Sequence, residues 1–274
     1  MTTRFKRAMT CASIAVIWTV LSACGAEPPS MTPAPPAQRY YLMVFNDALP
    51  GADAEFNRCL DADRIPNVRT LPGFASAQRF QLNDPQMYPG VTVPLPKYLA
   101  VYEISTNDLA ATMDRFQGAA GVTGTGSCAG ANPATTDVYV YRFSAPRQDR
   151  TAPDPKVPPG GPRTGYMHIV FTVPQQAMKS QFEQWYLTTH MPELLTRPGF
   201  TTAQRVALAQ AQGPVPPTDT AAVYRLELPR TMSISATAVL PSPGTAPSLT
   251  GQMLDPNLNR GYTYREIGPP VTAP

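Results

Sequence analysis

Pro72-Gly73-Phe74-Ala75-Ser76-Ala77-Gln78-Arg79 and Pro198-Gly199-Phe200-Thr201-Thr202-Ala203-Gln204-Arg205 agree at six of eight positions and stand 126 residues apart. Holding that offset and reading outward, Tyr40, Val44 and Phe45 return as Tyr166, Val170 and Phe171. Phe56 returns as Phe182, Pro66 as Pro192 and Thr70 as Thr196. Beyond a longer loop in the first copy, Ala100-Val101-Tyr102 matches Ala222-Val223-Tyr224. Near the ends, Tyr139-x-Tyr141-Arg142 matches Tyr262-x-Tyr264-Arg265. Gap-free agreement over about forty residues marks an internal duplication.

Each copy reads as the same series of elements. Aromatic and β-branched runs at 40–46 and 166–172 predict a first strand. Apolar residues at helical spacing over 51–63 and 174–189, such as Phe182, Trp185 and Tyr186, predict a helix, and Pro66 and Pro192 should interrupt or bend it. Strands follow at 74–82 and 200–208, at 98–104 and 221–228, and at 137–143 and 261–267. A second helix is clear at 106–116 and weakly encoded at 231–235. The order is βαββαβ twice, the split βαβ pattern. One face of such a sheet lies under helices, and two sheets can cover each other's other face. The predicted class is therefore α+β: two tandem ferredoxin-like repeats closing an intramolecular barrel.

The flanking segments carry location. Arg4, Lys6 and Arg7 precede the apolar stretch 8–23, and no acid occurs before Glu27. Sixteen residues at 1.5 Å each reach about 24 Å, short of a ~30 Å hydrocarbon core, which suits a secretory leader better than a spanning helix. Leu21-Ser22-Ala23-Cys24 resembles a bacterial lipobox, which implies cleavage before Cys24 and its acylation; two or more acyl chains anchor stably. Gly25 lacks the aspartate associated with inner-membrane retention, so the expected location is the cell envelope, in a diderm the outer membrane facing the periplasm. The expected domains are a signal peptide (1–23), a proline-rich tether (24–38), repeat one (39–145), a proline- and glycine-rich linker (146–163) and repeat two (164–270). Many of the 33 prolines gather in the tether and linker. Without the leader the charges balance at 19 basic and 19 acidic residues, which disfavours a nucleic-acid binder. Cys59 and Cys128 remain after processing; in an oxidising compartment they form either a disulfide or a buried thiol and a loop thiol.

Phe182-Glu183-Gln184-Trp185-Tyr186-x-x-x-His190-x-Pro192-Glu193-Leu194-Leu195, followed by Pro198-Gly199-Phe200 and Ala203-Gln204-Arg205, resembles the EthD-like branch of the dimeric α+β barrel superfamily. The first copy departs at its polar positions: Cys59-Leu60 stands for Trp185-Tyr186, and Arg64 for His190. Members are usually single-repeat dimers, so the resemblance implies a monomeric pseudo-dimer here. The superfamily includes cofactor-free monooxygenases, isomerases, decarboxylating enzymes, haem proteins and members without known activity, so it sets function only weakly.

Candidate chemistry centres on two histidines. Strand one of the second copy alternates Tyr166/His168/Val170 against Met167/Ile169/Phe171. The fully apolar set is expected to face the helices, which turns His168, and by the same parity Arg79 and Arg205, into the barrel. With Tyr166, Tyr224 and Trp185 these would suit a carboxylate, enolate or phenolate, or simply be satisfied by neighbours. His190 falls where Pro192 bends the helix, as a general base or as a structural cap. These differences predict a single site, in the second half. Gly124-Thr125-Gly126-Ser127-Cys128-Ala129-Gly130 lacks the spacing of a dinucleotide fingerprint and reads as a loop. Two histidines without clustered ligands make a zinc site improbable. No cofactor is expected; haem, which the resemblance allows, has no motif of its own. Three function classes remain: a small-molecule binding lipoprotein, a cofactor-independent enzyme, and an envelope interaction module.

Overall fold

Strand β1 (Gln38–Asn46) leads into a helix assembled from α1 (Asp53–Cys59), a π-turn at Leu60–Arg64 and α2 (Ile65–Arg69). Then come β2 (Phe74–Leu82), β3 (Tyr98–Thr106), α3 (Leu109–Ala120) and β4 (Asp137–Phe143), with the short β5 (Gln148–Asp149) inside the linker. The second half runs β6 (Arg163–Thr172), α4 (Lys179–Trp185), a π-turn at Tyr186–His190, α5 (Met191–Leu195), β7 (Phe200–Gln212), β8 (Thr220–Pro229), β9 (Arg260–Glu266) and β10 (Val271–Thr272). Where a second helix was weakly encoded, the described residues show a 3-10 turn at Ile234–Thr237. This computed structural model describes residues 36–87, 96–120, 128–154, 156–157, 159–213, 218–237, 253, 260–268 and 270–272. The leader, Cys24 and all but the end of the tether lie outside the described residues, as does most of the 124–130 loop.

Strands β2-β3-β1-β4 pair antiparallel, β4 continues onto β7, and β7-β8-β6-β9 follow; β9 then pairs with β2. The result is a closed eight-stranded antiparallel barrel, which leaves no free edge along its circuit. β5 lies on β7 with Gln148 opposite Ala203, and β10 lies on β2 with Val271 opposite Ala77. The linker is docked: Arg150 Nη1 donates to the Arg197 carbonyl at 2.7 Å.

At Pro66 and Pro192 the α-helix is interrupted, as expected, by a π-turn that ends just before the proline. A proline in a helix lacks its N–H and crowds the carbonyl four residues earlier. In both halves the wider π-turn stands immediately before it and relieves that crowding. Ile65 N–H bonds the Leu60 carbonyl and Met191 N–H bonds the Tyr186 carbonyl, each five residues back. The Pro-Gly-Phe turns end these helices. Gly199 sits at φ +80°, and a Cβ there would lie 2.3 Å from Leu228 Cδ2, so only glycine fits. Phe74/Ser76 and Phe200/Thr202 then carry matching register shifts.

The sheet faces are reversed from the sequence expectation. Met167, Ile169 and Phe171 pack inside the barrel with Tyr41, Phe45, Phe80, Val206 and Tyr264, in a cluster fed by all eight strands and by no helix. His168, Arg79 and Arg205 therefore face the helices. Deep in a closed lumen a polar group meets neither water nor helix-borne partners, so the apolar set packs there, while Arg225, which lies over the Phe80 ring, is answered by Glu266 at 3.2 Å. The helix side can answer charge with charge. Cys59 and Cys128 form a disulfide, with Cα atoms 5.5 Å apart, tying the end of α1 to the loop before β4.

Candidate functional site

In the second half, β7 delivers Arg205 beneath α4, where it is fully buried. Its Nε donates to Glu183 Oε2 at 2.8 Å and its Nη2 to Glu183 Oε1 at 2.5 Å. Nη2 also reaches the hydroxyls of Thr172 at 3.0 Å and Thr220 at 2.9 Å. The guanidinium carbon lies 4.4 Å from the Tyr186 ring centroid, a cation–π contact. Nη1 alone has no hydrogen-bond partner among the described residues. This arginine is sealed from water, and its charge is answered by the chain's own carboxylate.

The remaining second-half candidates gather around it. Tyr224 donates its hydroxyl to that of Tyr186 at 3.0 Å. His168 lies 6.2 Å from the Tyr224 ring and has Nδ1 2.9 Å from Thr263 Oγ1. His190, half-buried on the π-turn, stacks on Trp185 at 4.8 Å and meets Tyr186 edge-on at 4.8 Å. Tyr166 is buried in the same layer. Six of the predicted residues are thus brought together, between sheet and helix and not in the lumen; Arg79 stands apart in the first half. Burial pushes His168 down to about 4. Burial, and then the positive charge of Arg205, does the same to His190. Both imidazoles are neutral at neutral pH, so neither serves as a cationic anchor.

The first half differs at the equivalent place. Arg79 lines a cleft of about 510 Å³ between the α1–α2 helix, β2 and the tail that follows β9. Its side chain is only 5% exposed, while that of its ion-pair partner Asp61 is 62% exposed. Arg79 Nη1 donates to Asp61 Oδ1 at 2.7 Å, and Nη2 donates to the side-chain carbonyl of Asn57. Asn57 Nδ2 bonds the Tyr98 hydroxyl at 3.1 Å. Ile65, Pro66, Ala77, Ile267 and Val271 give the cleft apolar walls, and Gln81 adds an amide. Buried charge beneath an open apolar cleft is an arrangement that orients small organic ligands. A second cleft, about 630 Å³, separates the linker from α5, but its arginine, Arg150, is committed to the Arg197 carbonyl and Asp154.

The sequence expectation of a single site in the second half thus meets a sealed arginine there and an open cleft in the first. Asn57, Asp61, Gln81 and Tyr98 were missed. One signal was available: at the constant offset, Asn57 stands where Glu183 stands, beside Arg79 and Arg205 respectively. Sequence comparison is silent, since no protein-family profile and no curated protein matches the chain. Among solved structures, an anthrone oxidase-like protein superposes with a TM-score of 0.55 at 12% identity, covering 86% of this chain and 93% of its own. A provisionally assigned monooxygenase from Fusobacterium nucleatum gives 0.46 at 6% identity, over 86% and 95% of the two chains. Another from Lactobacillus acidophilus gives 0.43 at 6%, over 86% and 97%. The first likeness is one of fold.

Proposed function

We propose that the protein is a lipid-anchored envelope protein that binds a small organic ligand in the first-half cleft. The scaffold is read as an EthD-like barrel made of two tandem βαββαβ repeats within one chain, hence a monomeric pseudo-dimer. The carrying observation is the 510 Å³ cleft with nearly buried Arg79 among its lining residues. Leu21-Ser22-Ala23-Cys24 supports the anchor, and with it a place in the envelope, in a diderm the periplasmic face of the outer membrane. The test is native mass spectrometry of detergent-solubilised protein from its own host. A small molecule that co-purifies with the parent and is lost in Gln81→Trp, which fills the cleft, would support the reading. A parent with no bound species, and no thermal shift from a panel of small acids, amides and phenols, would overturn it.

A second reading, a cofactor-independent enzyme, is favoured by His190. Its neutral ring lies half-buried beside Trp185 and Tyr186 and makes no hydrogen bond among the described residues. An imidazole so placed can take a proton from an acidic substrate only weakly, given its lowered basicity. Oxygen uptake with phenolic substrates, abolished by His190→Ala, would decide for it.

A further inference from the structure

The two halves answer the same arginine in different ways. In the second, Glu183 reaches Arg205 with both carboxylate oxygens and closes the site. In the first, the matching residue is Asn57, one methylene shorter and uncharged. It presents its side-chain carbonyl to Arg79 Nη2 and its backbone carbonyl, at 3.5 Å, to Nη1, but no charge. The position matching the other carboxylate near Arg79, Asp61, is Leu187 in the second half. Asp61 makes one contact at 2.7 Å and is mostly in water, where an ion pair contributes little and is readily exchanged. The cleft opens in the half whose chain supplies no Glu183.

We propose that the first-half cleft takes a carboxylate, held on Arg79 as Glu183 is held on Arg205, with the ligand's apolar body against Ile65, Pro66, Ile267 and Val271. This rests on the cleft being the ligand site. The second half is then the permanently occupied counterpart of the first: its glutamate is the ligand, covalently supplied. Bidentate carboxylate–guanidinium geometry accounts for the selectivity, because an amide of the same shape offers neither the charge nor a second acceptor. Asp61 is a competitor for Arg79 that the incoming carboxylate displaces.

The experiment is calorimetric titration of the full chain with benzoate and octanoate, alongside benzamide and octanamide. The acids should bind at least tenfold more tightly than the amides. Asn57→Glu should abolish acid binding while raising thermal stability or leaving it unchanged, because the chain now supplies the carboxylate. Asn57→Gln, of equal length but neutral, should retain acid binding. Asp61→Asn should tighten it several-fold by removing the competitor, and this variant needs no repacking. Acid binding that survives Asn57→Glu, or weakens in Asp61→Asn, would overturn the proposal. Acids and amides binding alike, both lost in Gln81→Trp, would overturn the carboxylate assignment and leave the cleft as the site. Failure of every probe to bind would count against both.

Discussion

Glu183→Ala should be among the most damaging single substitutions in the second half. It removes both oxygens facing Arg205, at 2.8 and 2.5 Å, and leaves a fully buried guanidinium with only the Thr172 and Thr220 hydroxyls on Nη2. Unit charges about 4 Å apart in a medium of effective dielectric constant about 20 attract by about 4 kcal/mol. Breaking a buried pair by deleting one partner costs roughly 3–5 kcal/mol, and the two figures agree. Urea unfolding at neutral pH measures the loss. Glu183→Ala with Arg205→Met should recover most of it, since an apolar replacement of a buried pair is often near neutral. A loss below about 1 kcal/mol in the single variant, or a double variant no better than the single, would refute the claim that Glu183 is the carboxylate that neutralises Arg205.

Three further outcomes are expected. Cys59→Ser with Cys128→Ser opens a 69-residue loop; chain entropy puts the destabilisation at about 4 kcal/mol, and identical unfolding midpoints with and without reductant would contradict the bond. Burial holds His168 at about 4, below its unfolded value near 6.5. The unfolded chain therefore binds the extra proton first, and the stability present above pH ~6.5 is lost on acidification towards pH 4, by roughly 3 kcal/mol. His168→Gln should flatten that part of the pH profile, and an unchanged slope would count against a buried neutral imidazole. Cys24→Ala should release the protein from the membrane fraction, because the tether 25–38 has no amphipathic face to replace acyl chains; continued sedimentation with membranes would end the lipoprotein reading.

Much of the barrel was legible because period-two alternation groups residues correctly. Met167, Ile169 and Phe171 do share one face, and His168 with its neighbours the other. Alternation does not say which face points where, and that depends on what each face meets. The middle of the lumen meets only more sheet, so it excludes Arg79 and Arg205; the π-turn after α1 and the helix α4 bring Asp61 and Glu183 to the opposite side. Pro66 and Pro192 marked where the α-helix is interrupted, but the form of the interruption was not legible, since a π-turn that relieves proline has no composition of its own in Leu60–Arg64 or Tyr186–His190. The half holding the open cleft was not legible because the residues of most chemical character, His190 and Trp185, lie in the second half. The deciding exchange, Asn57 for Glu183, is visible only once Arg79 and Arg205 are known to lie under that helix.

If ligand enters the first half at Arg79, its position there can be seen. A crystal of the protein grown with 4-bromobenzoate locates it directly through the anomalous signal of bromine. A single bromine is expected among Ile65, Pro66, Ile267 and Val271, with the carboxylate turned to the Arg79 guanidinium and Asp61 swung into solvent. Bromine beside His190 and Trp185, or inside the barrel among Tyr41, Phe45 and Tyr264, with the Arg79 cleft empty, would contradict it.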